Sequence, residues 1–419
     1  MRIRSTAWVA IALLWSAPGW AADVRLQLGV QGEYDSNIFN RETDIQDDFV
    51  IAAVPELTLL ETEGKFTYDV GYAFPYQRSI KTDALRDFNH VARIGADYHL
   101  SDRTQFAFSD RFTYQQALSS NFDNTPTIGD NDRNQEILRN RVEGGVVYRF
   151  TPRLSNNATL GQEIFTTTQD DRSNNQSYSI VDGLDYMLTE RQSLGGGIQS
   201  SFQHFAESDD DAESQSIFVG PFLSWSYRID EQSQFRISAG PTYIHTRRES
   251  FPIIPTPVQP PPPAPPVNTR IPADSDQRVA GFGSVSIDRR WSPTMASGMS
   301  YQRQQDTASG IGGSAILDAV ALTHTWALGE RWTLAMRGDW TQRKSATDLQ
   351  VSTEGDLDSQ RWGAGSVLSY RITRNLTGSV RYQYSKQTST GDSAGRFSDF
   401  DGHIATLGLN YALDPIEVW

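Results

Sequence analysis

From Tyr98 to Phe108 the chain reads YHLSDRTQFAF, two runs with an aromatic or aliphatic residue at every second place, split by the polar stop Ser101-Asp102-Arg103. Comparable stops stand at Glu61 to Gly64, Thr151-Pro152-Arg153, Thr189-Glu190-Arg191, Asp230-Glu231-Gln232, Ser292-Pro293, Gly329-Glu330-Arg331 and Thr373-Arg374-Asn375, most of them about 40 residues apart. Between them lie longer, more polar links such as Ser119 to Asn134, Gln169 to Asn175, Ala206 to Glu213 and Ala346 to Ser359. Eight short stops alternating with nine long links join 18 strands, with 16 as the alternative count. Because antiparallel strands reverse at every connection, all the short turns gather at one end and all the long loops at the other.

Successive side chains of a strand point to opposite faces. From Lys65, one face carries Phe66, Tyr68, Val70, Tyr72, Phe74 and Tyr76, and the other Thr67, Asp69, Gly71, Ala73 and Gln77. In water the apolar face would need a second protein layer; in a bilayer, lipid covers it. Aromatic residues decide between the two, because amphipathic rings gather where hydrocarbon meets water. Tyr98, Phe106, Tyr148, Phe150, Tyr186, Trp225, Tyr227, Trp291, Trp326, Trp332, Tyr370 and Tyr411 all stand close to short stops. A β-propeller also repeats at about 40 to 45 residues, but with four short strands per blade; here each period holds two strands long enough to cross a membrane at a tilt. The fold class expected is therefore all-β, a transmembrane antiparallel up-and-down β-barrel with short periplasmic turns and long extracellular loops.

Residues 1–21 read as a signal peptide: Arg2 and Arg4, an apolar stretch from Ala7 to Trp15, and a small residue at Ala21. This places the protein in the outer membrane of a Gram-negative bacterium. Two of the 37 basic residues lie in that segment, leaving 35 against 51 acidic ones, a formal charge of −16 that argues against nucleic acid as a partner. With no cysteine there is no disulfide or thiolate metal site. The barrel is expected over 22–413, interrupted at 249–276 by an extracellular Pro-rich loop insertion with ten prolines between Phe251 and Pro272. After Asp414-Pro415, residues 414–419 read as a periplasmic tail. Asp110 and Asp182 fall in the apolar phase, which calls for a local bulge or a position above the hydrocarbon. Pro221 and Pro241 interrupt two strands.

The phase opposite the apolar residues faces an aqueous bore. It receives Arg93, Arg111, Arg139, Arg141, Arg149, Arg228, Arg236, Arg290, Arg337, Arg361, Arg371 and Arg381, against the acids Asp69, Asp97, Glu143, Glu163, Asp185, Asp288 and Asp339. A basic wall in an acidic protein favours anionic solutes; the plain alternative is that each arginine pairs with an acid across strands. The excess acid lies in the loops, as at Asp209-Asp210-Asp211 and Asp44 to Asp48. No closely spaced histidine pair fit for zinc, nucleophile elbow or phosphate-cradling loop is present, so no enzyme activity, cofactor or metal is expected. His204 and His324 are the histidines in the lipid phase that a Ser-His pair could use.

Tyr34, Asp35, Asn37 and Ile38, within LQLGVQGEYDSNIF and followed by YHLSDRTQFAFSDRF, resemble the opening of the outer-membrane β-barrel porins associated with bacterial exopolysaccharide biosynthesis and export loci. The resemblance implies a passive conduit for a secreted polysaccharide, and many such polymers are anionic. Outer-membrane lipid, lipopolysaccharide and periplasmic or inner-membrane export components would be its partners. A general or small-solute porin and a surface structural or adhesive barrel acting through its loops are the other readings.

Overall fold

The computed structural model describes residues 22–62, 64–82, 86–116, 136–167, 174–206, 214–248, 274–306, 315–345, 358–390 and 399–418. The signal segment, Trp419, the acidic run at 209–211 and the Pro-rich segment up to residue 273 lie outside these.

The strands are β1 (Ala22–Asp35), β2 (Asp48–Glu61), β3 (Phe66–Ala73), β4 (Tyr76–Ser79), β5 (Arg86–Phe88), β6 (His90–Ser101) and β7 (Thr104–Gln116). They continue as β8 (Glu136–Thr151), β9 (Leu154–Thr167), β10 (Asn175–Thr189), β11 (Gln192–Phe205), β12 (Ser214–Arg228), β13 (Ser233–Arg248) and β14 (Asp274–Ser292). The last are β15 (Met295–Asp306), β16 (Ala315–Leu328), β17 (Trp332–Ser345), β18 (Asp358–Arg371), β19 (Leu376–Thr390), β20 (Phe400–Ala412) and β21 (Ile416–Val418). β3 and β4 are halves of one stave, interrupted at Phe74-Pro75. β5 and β6 are halves of the next, interrupted at Asn89, and the 21 segments form 18 staves in a single antiparallel sheet. β1 pairs with β20 from Gln27↔Ala412 to Asp35↔Ile404 and closes the cylinder. The tail expected from residue 414 is instead a continuation of the last stave: after the step at Asp414-Pro415, β21 pairs with Ala22–Val24.

The polar stops are side-chain-capped turns. The hydroxyl of Ser101 accepts from the amides of Arg103 and Thr104, Thr151 from Arg153 and Leu154, and Thr373 from Asn375 and Leu376. In the turn after β12 the Asp230 carboxylate does the same for the Gln232 amide at 2.8 Å. A hydroxyl or carboxylate at the first turn position satisfies amides that the ladder leaves over. The turns at Gly64 (φ 89°) and Gly329 (φ 76°) need the left-handed region that glycine enters without strain.

The outward rows are apolar and uncovered. Leu160, Leu223, Val279 and Leu407 are each more than 60% exposed, and Trp225, Trp291, Trp326, Trp332, Tyr98 and Tyr411 are exposed beside the short turns. Rows of aliphatic side chains this open, ending in a band of rings, are stable only against hydrocarbon. The barrel sits in the outer membrane, its short turns periplasmic and its long loops outside.

The sequence positions that strain the pattern are resolved across strands. Asp110 and Asp182 keep both the outward phase and an unbroken register, opposite Val142 and Ala158. Asn140 Nδ2 donates to Asp110 Oδ1 and Asn156 Nδ2 to Asp182 Oδ1, each at 2.7 Å. So no bulge is involved; an asparagine on the adjacent stave donates to each carboxylate. The two prolines stand opposite each other as Gly220-Pro221 on β12 and Gly240-Pro241 on β13, where the ladder lapses between Val219↔Tyr243 and Leu223↔Ala239. A Cβ on either glycine would collide with the carbonyl oxygen of the facing proline, so two Gly-Pro steps nest where single prolines would each cost a ladder bond.

At the outer mouth, Asn37 Nδ2 donates to the carbonyls of Arg41 (2.8 Å) and Asp401 (3.0 Å), while its own amide donates to Asp35 Oδ1 at 2.9 Å. Asn37 and Asp35 are both fully buried, and they fasten the first loop to β20 at the closing seam. The Tyr-Asp-x-Asn segment therefore works here as a structural clasp. Asp48, one residue beyond the outermost apolar residue Phe49, is a second anchor. It accepts from the hydroxyls of Ser79 and Thr82 and from the amides of Ile80, Lys81 and Thr82. Burial works against its charge, but these donors outweigh burial and hold the carboxyl well below the ordinary 3.8.

Replacing Asn140 with Leu leaves the Asp110 carboxylate facing lipid without its donor, and unfolding from lipid vesicles should show a loss of about 1 to 3 kcal/mol. Adding Asp110→Leu should recover most of that loss; a double variant no better than the single one would mean that the pair is not coupled. A depressed folded-state pKa gives stability that is complete above the unfolded value and is lost as pH falls toward the folded one. Proteolysis of the segment after Ser79 should therefore rise in wild type only in strong acid. Asp48→Ala should be cleaved readily at neutral pH, with little further change on acidification.

Candidate functional site

The bore is not an open tube. The β14–β15 ladder stops at Gly283↔Arg303, although β14 runs on to Asp274 beside β13 and β15 runs on to Asp306 beside β16. Past that point the outer ends of β15 and β16 leave the wall and lean inward. Ile316 of β16 packs on Phe218, Ile244 and Phe282, the inward residues of β12, β13 and β14, and all four are buried. Ser201 Oγ, on the inner face of β11, donates to Gln305 Oε1 at 2.5 Å, four staves away. Side chains that would face lipid in a straight stave here cover the inner face of the neighbouring staves β11 to β14.

Between the leaning ends and β8 to β13 remains a cavity of about 630 Å³. Its walls mix polar residues, among them Gln199, Gln203, Ser177 and Ser179, with apolar ones such as Phe165 and Phe222, and it holds four arginines, Arg139, Arg141, Arg303 and Arg343, against two acids, Glu143 and Glu163. Arg139 bridges Glu163 at 2.8 Å and Arg141 bridges Glu143 at 2.5 Å, while Arg303 reaches Asp318 at 3.5 Å.

Strand register puts all twelve arginines of the sequence reading on the face opposite the apolar rows, in three groups. Arg93, Arg111 and Arg141 stand directly opposite one another across β6, β7 and β8. Like charges so placed repel, and acids on both sides offset them: Arg93 bridges Glu56 (2.7 Å) and Asp69 (3.1 Å). Arg139, Arg337 and Arg141 likewise have carboxylate partners, Arg337 meeting Asp339 at 3.4 Å. Arg149, Arg228, Arg290 and Arg371 occupy one equivalent position on four descending staves. The backbone amide of each donates to the last turn residue of the hairpin before it, at Arg103, Arg191, Gln232 and Arg331. All four are exposed and form an arginine rim at the periplasmic mouth. Arg236 and Arg381 lie further toward the middle of their staves, and Arg361 stands near the outer end of β18 opposite Thr341; Arg236 donates to Gln234 Oε1 at 3.0 Å.

Arg303 and Arg343 at the waist, and the inward apolar cluster, were not among the residues singled out from sequence. Arg343 has the inward phase and could have been found. Arg303 reads as lipid-facing, and only the departure of β15 from β14 brings it into the bore. Of the two lipid-phase histidines, His324 meets Ser297 Oγ through Nδ1 at 2.8 Å. Among the described residues no group of three or more His, Asp or Glu is placed to hold a metal ion.

A closed 18-stave cylinder with a lipid-exposed exterior and a charged, polar interior is an outer-membrane channel. No family model matches the chain, and neither does any curated protein. Among solved structures, the ferric-catecholate import receptor Fiu from E. coli is similar with a TM-score of 0.49 at 8% identity, over 95% of this chain and 82% of that one. The FrpB iron transporter from Neisseria meningitidis gives 0.44 at 10% identity, over 96% and 82%. OpdK from Pseudomonas aeruginosa, solved with vanillate, gives 0.43 at 11%, over 93% and 98%. The functional reading rests on this chain's own geometry.

Ile316→Ala should release the leaning ends, since emptying a buried isoleucine site costs about 2 to 5 kcal/mol of anchoring. Single-channel conductance should rise and become noisier, with Gln305→Ala giving a smaller change in the same direction. Unaltered conductance in both would show that these ends do not limit flow.

Proposed function

We propose that the protein is a passive channel for small polar solutes across the outer membrane and favours anions. The waist supports the small-solute reading: a bore narrowed by the ends of its own β15 and β16 admits small molecules, whereas a hydrated polymer needs a continuous passage. Preference for anions follows chiefly from the exposed arginine rim at the periplasmic mouth, with a smaller surplus at the waist, where Glu163, Glu143 and Asp318 pair with three of the four arginines. In a low-dielectric wall such charge focuses potential along the path and lowers the barrier for an anion. No bound energy source is needed, because the solute moves down its own gradient.

A conduit for an anionic exopolysaccharide, delivered by periplasmic and inner-membrane export components, would draw on the same arginines. The outer half of β14, which β15 leaves, is the observation in its favour: re-pairing the two staves would withdraw the leaning ends and widen the bore. Such a channel would be mostly closed when purified and would open with its partners.

In a planar bilayer under a salt gradient, purified protein should conduct steadily, with a reversal potential on the anion side. Replacing Arg149, Arg228, Arg290 and Arg371 together with Gln should reduce the anion-to-cation permeability ratio severalfold and leave the folded barrel intact. Cation preference in wild type would overturn the anion reading, and a channel closed until export components are added would favour the polymer conduit.

A further inference from the structure

On the membrane side of the wall, a groove of about 560 Å³ opens between the periplasmic halves of β14, β15, β16 and β17. Ile287, Met299, Leu322 and Met336 face outward along it, each at least 40% exposed. A purely apolar groove would be ordinary packing space for lipid tails, but this one has a polar end. Trp291 Nε1 donates to Ser297 Oγ at 2.9 Å, and Ser297 Oγ lies 2.8 Å from His324 Nδ1. An indole nitrogen can only donate, so the serine oxygen accepts from it, and the serine hydroxyl can in turn donate to Nδ1. In that arrangement the neutral imidazole carries its proton on Nε2. The guanidinium of Arg289 lies 4.2 Å from the centre of the Trp291 ring, stacked beside the same network.

In that arrangement Trp291, His324 and Arg289 all present N–H at this end of the groove, and such donors match an acceptor-only, negatively charged ligand. The surroundings require that ligand to carry hydrocarbon. Arg289 and Trp291 stand just before the turn at Ser292-Pro293, level with Trp326 and Trp332, where the aromatic belt marks the boundary between headgroups and tails. Hydrogen bonds from Gln232 and Ser233 lower the pKa of Asp230 in the neighbouring turn, and the charge of Arg289 helps to lower it further; a guanidinium with five donors can serve both a carboxylate and a phosphate.

We propose that this groove is a binding site for one anionic glycerophospholipid of the periplasmic leaflet. The phosphate rests on Arg289 and His324, and an acyl chain lies over Met299, Leu322 and Met336. The site is on the opposite side of the wall from the bore and stands independently of what the channel carries.

The test uses the full mature barrel in nanodiscs of phosphatidylcholine doped with phosphatidylglycerol, released into a native mass spectrometer. Wild type should retain one phosphatidylglycerol. Arg289→Gln should retain it about tenfold less, the loss expected for a charge-assisted contact, with phosphatidylcholine retention unchanged. Leu322→Trp, which fills the groove without touching the polar end, should also lose the lipid. Both variants should keep wild-type conductance and heat-modifiable mobility, which separates a lost site from a lost fold. Equal retention of phosphatidylglycerol by wild type and both variants would overturn the proposal. So would displacement of the lipid by inorganic phosphate, which would mark a site for the free anion instead.

Discussion

Hydrocarbon offers backbone groups no partner, so every N–H and C=O of a membrane strand must find one within the sheet. That requirement explains features of this barrel that composition does not. It closes β1 on β20 and carries the last stave past Asp414-Pro415 to pair again with Ala22–Val24. It explains why Pro221 and Pro241 face each other, two residues without amide donors sharing one lapse in the ladder instead of making two. Asp110 and Asp182 obey the same rule at the level of side chains: each faces lipid, and each takes a donor from an asparagine one stave away.

Fold class and stave number were legible because they are written in period-two alternation and in recurring turn chemistry. Ser101, Thr151 and Thr373 punctuate the chain because their hydroxyls cap the amides that follow, a local interaction visible at fixed spacing. Features that depend on register were not legible. Nothing in the single sequence brings Asn140 beside Asp110 or sets Gly220-Pro221 against Gly240-Pro241. The leaning of β15 and β16 is harder still: alternation continues undisturbed through Arg303, Gln305 and Ile316, so phase alone assigns them to lipid. Only the arrangement of three staves turns that face toward Phe218, Ile244 and Phe282. The twelve arginines sit between these cases. Phase gives the face each one occupies, but whether a given one is neutralised depends on which acid lies across the ladder, as with Arg139 and Glu163.

Charge follows the same architecture. In a chain with 51 acidic residues, strand phase still sets arginines such as Arg93, Arg111 and Arg141 on the face opposite the apolar rows. Inside, most waist arginines are held by acids, so their contribution to potential is partial and their contribution to wall geometry large. At the rim, Arg149, Arg228, Arg290 and Arg371 recur where a descending stave meets its turn, exposed to water that screens them. The two constrictions thus differ in kind. On the proposed reading, the waist would act through size and a shielded field, and the rim through a field that salt weakens.

The seam between β14 and β15 joins both faces of the wall. Its outer half is unpaired because β15 leaves for the bore, so the ladder from Gly283 to Ser292 alone ties these staves together. Side chains reinforce that remaining half: Trp291 of β14 reaches Ser297 of β15, and Ser297 reaches His324 of β16, linking three staves on the membrane side of the wall. Polar contacts facing lipid are costly unless satisfied, and these satisfy one another where the backbone ladder is shortest. The inward lean above and the polar clasp below are consequences of one broken ladder.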